Sequence, residues 1–251
     1  MDRSYFMAVP TNLSGRVPVV VLLHGRDMTP SGILRISGVA GGIGPAIVVV
    51  PEGWEELWNA GDCCGAAYLH HVDDVEFIAA VVHDVLAAAP AADPAQVYAI
   101  GFSNGGRLAY HLACRLPGTF HGVMAVEAVP VQPCPAMAPA DVTIVAQQAD
   151  RLLAVAAGQT PKKVGGFVEP TVAATVRDVR RLDGCTGAPT ATVAGVAVER
   201  SWSCRAGTVV RYVWYPGGAH TWRPATATTP GVTGFARQLL GRSDASSGAA
   251  A

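Results

Sequence analysis

Gly101-Phe-Ser103-Asn-Gly105 sets a serine between two glycines, after the apolar run Val97-Tyr-Ala-Ile100 and before a stretch of helical spacing. Strand, sharp turn and helix in that order push a serine hydroxyl out of the chain as a nucleophile. Both flanks must be glycine because a side chain there would collide with the neighbouring strand or helix. With 28 glycines and ten serines in 251 residues, about 0.12 such matches arise by chance. The motif is therefore moderately specific alone, and a Gly-rich strand-to-helix turn is the bland alternative.

A serine is a weak nucleophile without a base, and for this strand-turn-helix topology the acid and then the histidine follow the serine along the chain. Three of the seven histidines come later than Ser103. His111 falls on the helix after the turn and His121 opens a strand, so neither is placed to reach back. His220 lies in Pro216-Gly-Gly-Ala-His220-Thr-Trp222, a flexible loop after the last strand, and is the candidate base. Seven carboxylates stand between Ser103 and His220: Glu127, Asp141, Asp150, Glu169, Asp178, Asp183 and Glu199. Asp150 follows the second strand after the serine turn and is the favoured orienting acid, with Glu127, after the first, as the alternative. Asp178 and Asp183 read as solvated or capping charges of a helix. His24-Gly25-Arg26 ends an apolar strand, where a main-chain N–H is available to a developing oxyanion. The amides of Arg26 and Asn104 are the candidate donors.

These groups need a scaffold that brings residues 26, 103, 150 and 220 to one place. Six β-branched runs read as strands, at 17–23, 46–50, 97–100, 123–126, 142–145 and 209–214. Helical spacing appears at 73–88, 104–116, 170–182 and 231–240. Alternation of the two implies an α/β chain with a mostly parallel sheet and helices on both faces. Half of the residues are hydrophobic and 15% are charged, enough for one core. The expected organisation is a single catalytic domain over residues 1–240 and a small, polar, frayed tail over 241–251.

Composition also excludes classes of function. A net charge of −1 provides no polycationic surface for a phosphate backbone, so no nucleic-acid partner is expected. The apolar runs are far shorter than the roughly 20 residues of a membrane span. Adjacent Cys63 and Cys64 stand at no zinc spacing to other ligands, so neither metal nor cofactor is expected. Six cysteines, an even number, suit an oxidising compartment. The start Met1-Asp2-Arg3-Ser4-Tyr5 lacks a basic segment followed by an apolar one. A secreted or extracytoplasmic location is the expectation, with the cytoplasm the alternative. Cys185 and Cys204 bracket a Gly-, Ala- and Thr-rich segment with little core of its own and are expected to pair. Nothing in the sequence specifies an oligomeric state.

Several segments together carry a resemblance. They are Tyr5-Phe-Met-Ala-Val-Pro10, Leu23-His-Gly25, Pro51-Glu-Gly53, Trp58-Asn-Ala-Gly-Asp-Cys-Cys-Gly65, Val72-Asp-Asp-Val75, Val97 to Gly106, Asp183-Gly-Cys185 and Gly217-Gly-Ala-His-Thr-Trp222. The chain resembles the secreted serine esterases that include poly(3-hydroxybutyrate) depolymerase-like proteins, feruloyl esterases and acetylxylan esterases, of the α/β-hydrolase superfamily. The Trp-Asn and Cys-Cys-Gly element is more specific than the serine motif. Three departures stand out: Arg26 where the family is small, Gln148-Ala-Asp150 where it carries Gly-Thr-x-Asp, and Glu127 where it tends to be small and neutral.

The resemblance implies a serine carboxylic ester hydrolase working through an acyl-enzyme. Its substrates would be small or polymeric esters: short-acyl, hydroxycinnamoyl or hydroxyalkanoate polyester. A peptidase on the same fold is one alternative, and a hydrolase-fold binding protein whose site has decayed is the other. Between Asp150 and His220 the insert is too short for an extended lipase lid. Trp58 and Trp222 are expected to offer flat apolar walls to a short acyl group or a planar ring.

Overall fold

The computed structural model describes residues 3–11, 13, 15–61, 63–156, 158–164 and 166–241, so the expected tail from residue 242 onward lies outside the described residues. In chain order the elements are β1 (Tyr5–Ala8), β2 (Val17–Leu23), α1 (Pro30–Ser37), α2 (Val39–Gly42), β3 (Ile47–Pro51), α3 (Gly65–Leu69), α4 (Asp74–Ala88), β4 (Ala92–Phe102) and α5 (Asn104–Arg115). They continue with β5 (Gly122–Val126), β6 (Asp141–Gln147), β7 (Lys162–Val164), β8 (Phe167–Glu169), α6 (Val172–Leu182), β9 (Thr190–Ala194), β10 (Ala197–Ser203), β11 (Val209–Tyr215) and α7 (Val232–Gly241).

Nine strands form one sheet in the order β1-β3-β2-β4-β5-β6-β11-β10-β9. Its central six, β3 to β11, are parallel and are the six apolar runs of the sequence. Because successive side chains of a strand point to opposite faces, β2 feeds two cores. Val19, Val21 and Leu23 pack with Ile78 and Val82 of α4, Leu108 and Leu112 of α5, and Val176 and Val179 of α6. Val20 and Leu22 pack with Ile33 of α1 and Phe235 and Leu239 of α7. Both faces are therefore covered by helices, which is why β3 and β5 are buried along their whole length.

Antiparallel strands, which the sequence does not announce, extend the sheet at both ends. β1 pairs with β3, and β10 with β11. The segment between Cys185 and Cys204 is the β9–β10 hairpin, closed by the two-residue loop Gly195-Val196. Gly195 sits at φ +59, and a Cβ there would come within 2.1 Å of Thr229 Oγ1, so the turn requires glycine. The cysteines pair as Cys185–Cys204, Cys114–Cys134 and the adjacent Cys63–Cys64. Of the two readings of Asp183, solvated or capping, the second describes its place at the end of α6: it is fully buried and accepts a hydrogen bond from Thr208 Oγ1 at 2.6 Å.

Candidate active site

Ser103 connects β4 to α5 with φ 53 and ψ −117, a backbone region that L-residues rarely visit. The turn is possible because its flanking glycines carry no side chain where backbone already fills the space. A Cβ on Gly101 would lie 2.1 Å from the Gly105 carbonyl oxygen, and one on Gly105 would lie 2.4 Å from the Leu23 and His24 carbonyl oxygens. The two glycines thus let α5 seat directly on the end of β2. Ser103 N–H donates to Val126 O at 2.8 Å, which ties the turn to β5.

His220, although 117 residues away in sequence, brings Nε2 to 2.8 Å from Ser103 Oγ. Its Nδ1 stands 2.7 Å from Asp150 Oδ2. The His220 side chain is 21% exposed while that of Asp150 is fully buried, so the far end of the chain of groups is dry and the serine end meets solvent. Phe102 tilts against the imidazole with ring centroids 5.3 Å apart. Asp150 Oδ1 accepts from the main-chain N–H groups of Leu152 at 2.7 Å and Leu153 at 3.3 Å. Burial pushes its pKa up, but the hydrogen bonds from His220 and Glu127 outweigh that and hold it down at about 2. A serine, an imidazole and an ionised carboxylate in this sequence can move a proton from the hydroxyl to the ring as the oxygen attacks a carbonyl.

Glu127, the alternative acid, is fully buried directly after β5. One of its carboxyl oxygens, one of Asp150 and a His220 ring nitrogen lie within 4.8 Å of one another. Burial first, then the hydrogen bond and charge of Asp150, push the Glu127 pKa up to about 10. Two carboxyl groups this close cannot both ionise, so Glu127 holds its proton while Asp150 carries the charge facing the imidazole.

A dependence of stability on pH follows from the sign of that shift. From the ordinary 4.5 of Glu127 to about 10, the folded protein binds one more proton than the unfolded chain. The stability contributed by Glu127 is complete below the lower value and is lost as pH rises toward the upper one, by at most about 1.4 kcal/mol per pH unit. Glu127→Gln removes this dependence. In thermal melts at pH 5, 7 and 9, the variant should gain on the wild type as pH rises, and parallel curves would contradict a protonated Glu127.

His24, Trp58 and Asn104 interlock beside the Ser103 turn. Trp58 Nε1 donates to His24 O at 2.9 Å, and Asn104 exchanges two hydrogen bonds with the Trp58 main chain at 2.8 and 3.0 Å. His24 Nε2 accepts from Gly53 N–H at 2.9 Å, leaving Nδ1 to donate to Gly25 O at 2.8 Å. That assigns a neutral ring, in line with burial lowering its pKa. Asn59, beside Trp58, is held by Asp74 Oδ2 at 2.6 Å and Val72 O at 2.9 Å, so the Trp-Asn and Val-Asp-Asp segments of the sequence meet in space. Asn104 is the first residue of α5, whose N–H the helix cannot itself satisfy. Arg26 follows the end of β2 and its side chain is exposed. A Cβ on Gly65 would come within 2.9 Å of its guanidinium.

Two expectations need correction and two residues were missed. Trp58 is fully buried, and Trp222 is 4% exposed with Nε1 donating to Thr233 Oγ1 at 3.0 Å. A buried indole turns its N–H to an internal acceptor, so both rings are packed inward and neither forms an open wall. Arg107, one turn into α5, is buried against Glu169 in an ion pair and donates through Nη1 to both sulfurs of Cys63–Cys64, at 3.3 and 3.2 Å. Gln147, at the end of β6, donates to the main chain on both sides of His220.

A family model described as "Putative esterase" matches residues 2–165. The chain belongs to this esterase family. Ser103 and Asp150 lie inside the matched stretch and His220 lies beyond it. The esterase is 31% identical to Putative esterase NocK of Nocardia uniformis subsp. tsuyamanensis over 90% of its own length and 72% of that protein's. It is 27% identical to Feruloyl esterase B of Piromyces equi over 70% of its length, spanning only 34% of the longer relative. Among solved structures it superimposes on the acetyl xylan esterase from Aspergillus awamori with a TM-score of 0.65 at 14% identity, covering 88% and 89% of the two chains. The carboxylesterase of Bacillus cereus matches with a TM-score of 0.58 at 16% identity over 96% and 94%. The fold is that of the α/β-hydrolases, and the esterase is a carboxylic ester hydrolase. No helix among the described residues is long and apolar enough to cross a membrane.

Proposed function

We propose that the esterase cleaves carboxylic esters through an acyl-enzyme on Ser103. The observation that carries this is the continuous chain Ser103 Oγ, His220 Nε2, His220 Nδ1, Asp150 Oδ2, with contacts of 2.8 and 2.7 Å. His220 takes the Ser103 proton as Oγ attacks the ester carbonyl, and Asp150 faces the imidazolium that forms. The main-chain amides of Arg26 and Asn104 receive the oxyanion. The ester C–O bond then breaks, the alkoxide leaves with the proton from His220, and a water activated by the same imidazole releases the acid. Intact-mass measurement after treatment with a fluorophosphonate tests this. One adduct on the wild type and none on Ser103→Ala is the expected result, and an unmodified wild type would remove the assignment.

The substrates proposed are short-acyl, hydroxycinnamoyl or hydroxyalkanoate polyester esters, at a site outside the cytoplasm. The relatives named feruloyl esterase and acetyl xylan esterase support the first two classes, and three disulfides support the location. The insert between Asp150 and His220 limits acyl length. α6 packs on β6 and β11, and the β9–β10 hairpin extends the sheet. Among the described residues, β7 and β8, three residues each, and a single 3-10 turn at Arg205–Gly207 remain beside loops, and they are too little to cover a long chain. Each methylene left in water forgoes about 0.8 kcal/mol of burial. Over p-nitrophenyl acetate, butyrate and palmitate with methyl ferulate, kcat/KM should be roughly tenfold or more lower for palmitate than for butyrate. A maximum at palmitate would overturn the reading.

A further inference from the structure

Of Ser103, Asp150 and His220, the last stands farthest from regular structure: Ser103 is the residue capping α5, Asp150 follows the end of β6 by three residues, and His220 follows the end of β11 by five. It hangs in residues 216–221, which have no regular secondary structure between β11 and Trp222. Such a segment needs anchoring from outside, because a base displaced by about 1 Å loses much of its effect. The anchor visible in the structure is Gln147. The residue ends β6 paired with Tyr215 at the end of β11, so its backbone is fixed by the sheet, and it is 1% exposed.

Its Nε2 donates to Ala219 O at 2.7 Å and to Thr221 O at 2.8 Å, with Thr221 Oγ1 at 3.3 Å. The two carbonyls belong to the residues immediately before and after His220. One amide group, with two hydrogens, thus spans the base and satisfies an acceptor on either side of it. Gln147 N–H in turn reaches Glu127 Oε2 at 3.3 Å, and Gln148 N–H donates to Tyr215 O at 2.9 Å. The loop is shaped to receive the amide. Gly218 sits at φ +87, and a Cβ there would fall 2.1 Å from Gln147 Oε1.

We propose that Gln147 is the positioning residue of the base: its side-chain amide bridges the carbonyls flanking His220 and so holds Nε2 on Ser103 and Nδ1 on Asp150 at once. The inference rests on the reading of His220 as the base. It concerns rate and not binding, since Gln147 is buried behind the loop.

The test compares wild type, Gln147→Leu, which keeps volume without donors, and Gln147→Asn, which keeps the amide but withdraws it by one methylene. Each is assayed for kcat and KM on p-nitrophenyl acetate, for the rate of Ser103 labelling by a fluorophosphonate, and for Tm. Both variants should lose about 100-fold in kcat and in labelling rate with KM within about threefold, while Tm stays within a few degrees. A folded variant with kcat within threefold of wild type would overturn the proposal. So would a loss confined to KM and Tm, or failure of both variants to fold, since any of these makes the amide structural only. Labelling of the wild type at Ser103 is a separate result: it stands if the Gln147 variants behave normally, and its absence would remove the base reading itself.

Discussion

Ser103→Ala is expected to lower kcat on p-nitrophenyl butyrate by on the order of 10⁶, close to the limit of what the site can lose. In the proposed mechanism the hydroxyl is the only part of the hydrogen-bonded set that forms a bond to the substrate. Without it His220 has no proton to take, and the remaining amides can stabilise only the slow attack of water. The variant should fold normally, because Ser103 is held through its main-chain N–H to Val126 O and not through Oγ. Alanine at φ 53 carries the same backbone strain as serine, so Tm should move little. A folded Ser103→Ala enzyme retaining more than a hundredth of wild-type kcat would place the nucleophile elsewhere.

Asp150→Asn is expected to cost about 10⁴ in kcat, whereas Glu127→Gln should cost about tenfold or less. Asp150 Oδ2 faces His220 Nδ1 directly, and the asparagine amide could offer that nitrogen an N–H, favouring the wrong tautomer. Glu127 already behaves as a neutral group, so a neutral amide of the same shape replaces it with little electrostatic change. Its remaining contact, accepting from Gln147 N–H at 3.3 Å, is one that glutamine can keep. Steady-state kinetics at pH 8 on both variants decides the matter. If Glu127→Gln proved the more damaging, the negative charge would have to reside on Glu127, and the distribution of the shared proton given above would be reversed.

The six parallel strands are legible in sequence because they are buried on both faces and therefore written as unbroken Val, Ile and Leu runs. β1, β9 and β10 are not, because they are largely or partly exposed and carry no unbroken apolar run. All five residues of β9, Thr190-Ala-Thr-Val-Ala194, are exposed, and Glu-Arg-Ser in β10 looks like loop. Chain order after Ser103 singled out Asp150 and His220, and the structure brings both to hydrogen-bond distance. Trp58 and Trp222 show where that reasoning stops, since sequence proximity to a reactive residue says nothing about which way a ring points. Gln147 was illegible for a related reason: an amide at the end of a strand has no pattern, and its meaning exists only once the loop at 219–221 has folded back over it. Arg107 could have been suspected, because a charge amid Leu108, Ala109 and Leu112 on the buried stretch of α5 demands an internal partner.

The unequal support of Ser103 and His220 sets the order in which the enzyme fails on warming. Ser103 is embedded between β4 and α5 at the middle of the sheet, where amide hydrogens are expected to exchange only through global opening. The segment that carries His220 can open by itself, at the free energy of a few hydrogen bonds. Inactivation should therefore run ahead of the loss of helix and sheet signal, and it should reverse on cooling so long as the sheet has not come apart. Hydrogen exchange at residues 217–221, not the melting curve, is then the measure of working stability.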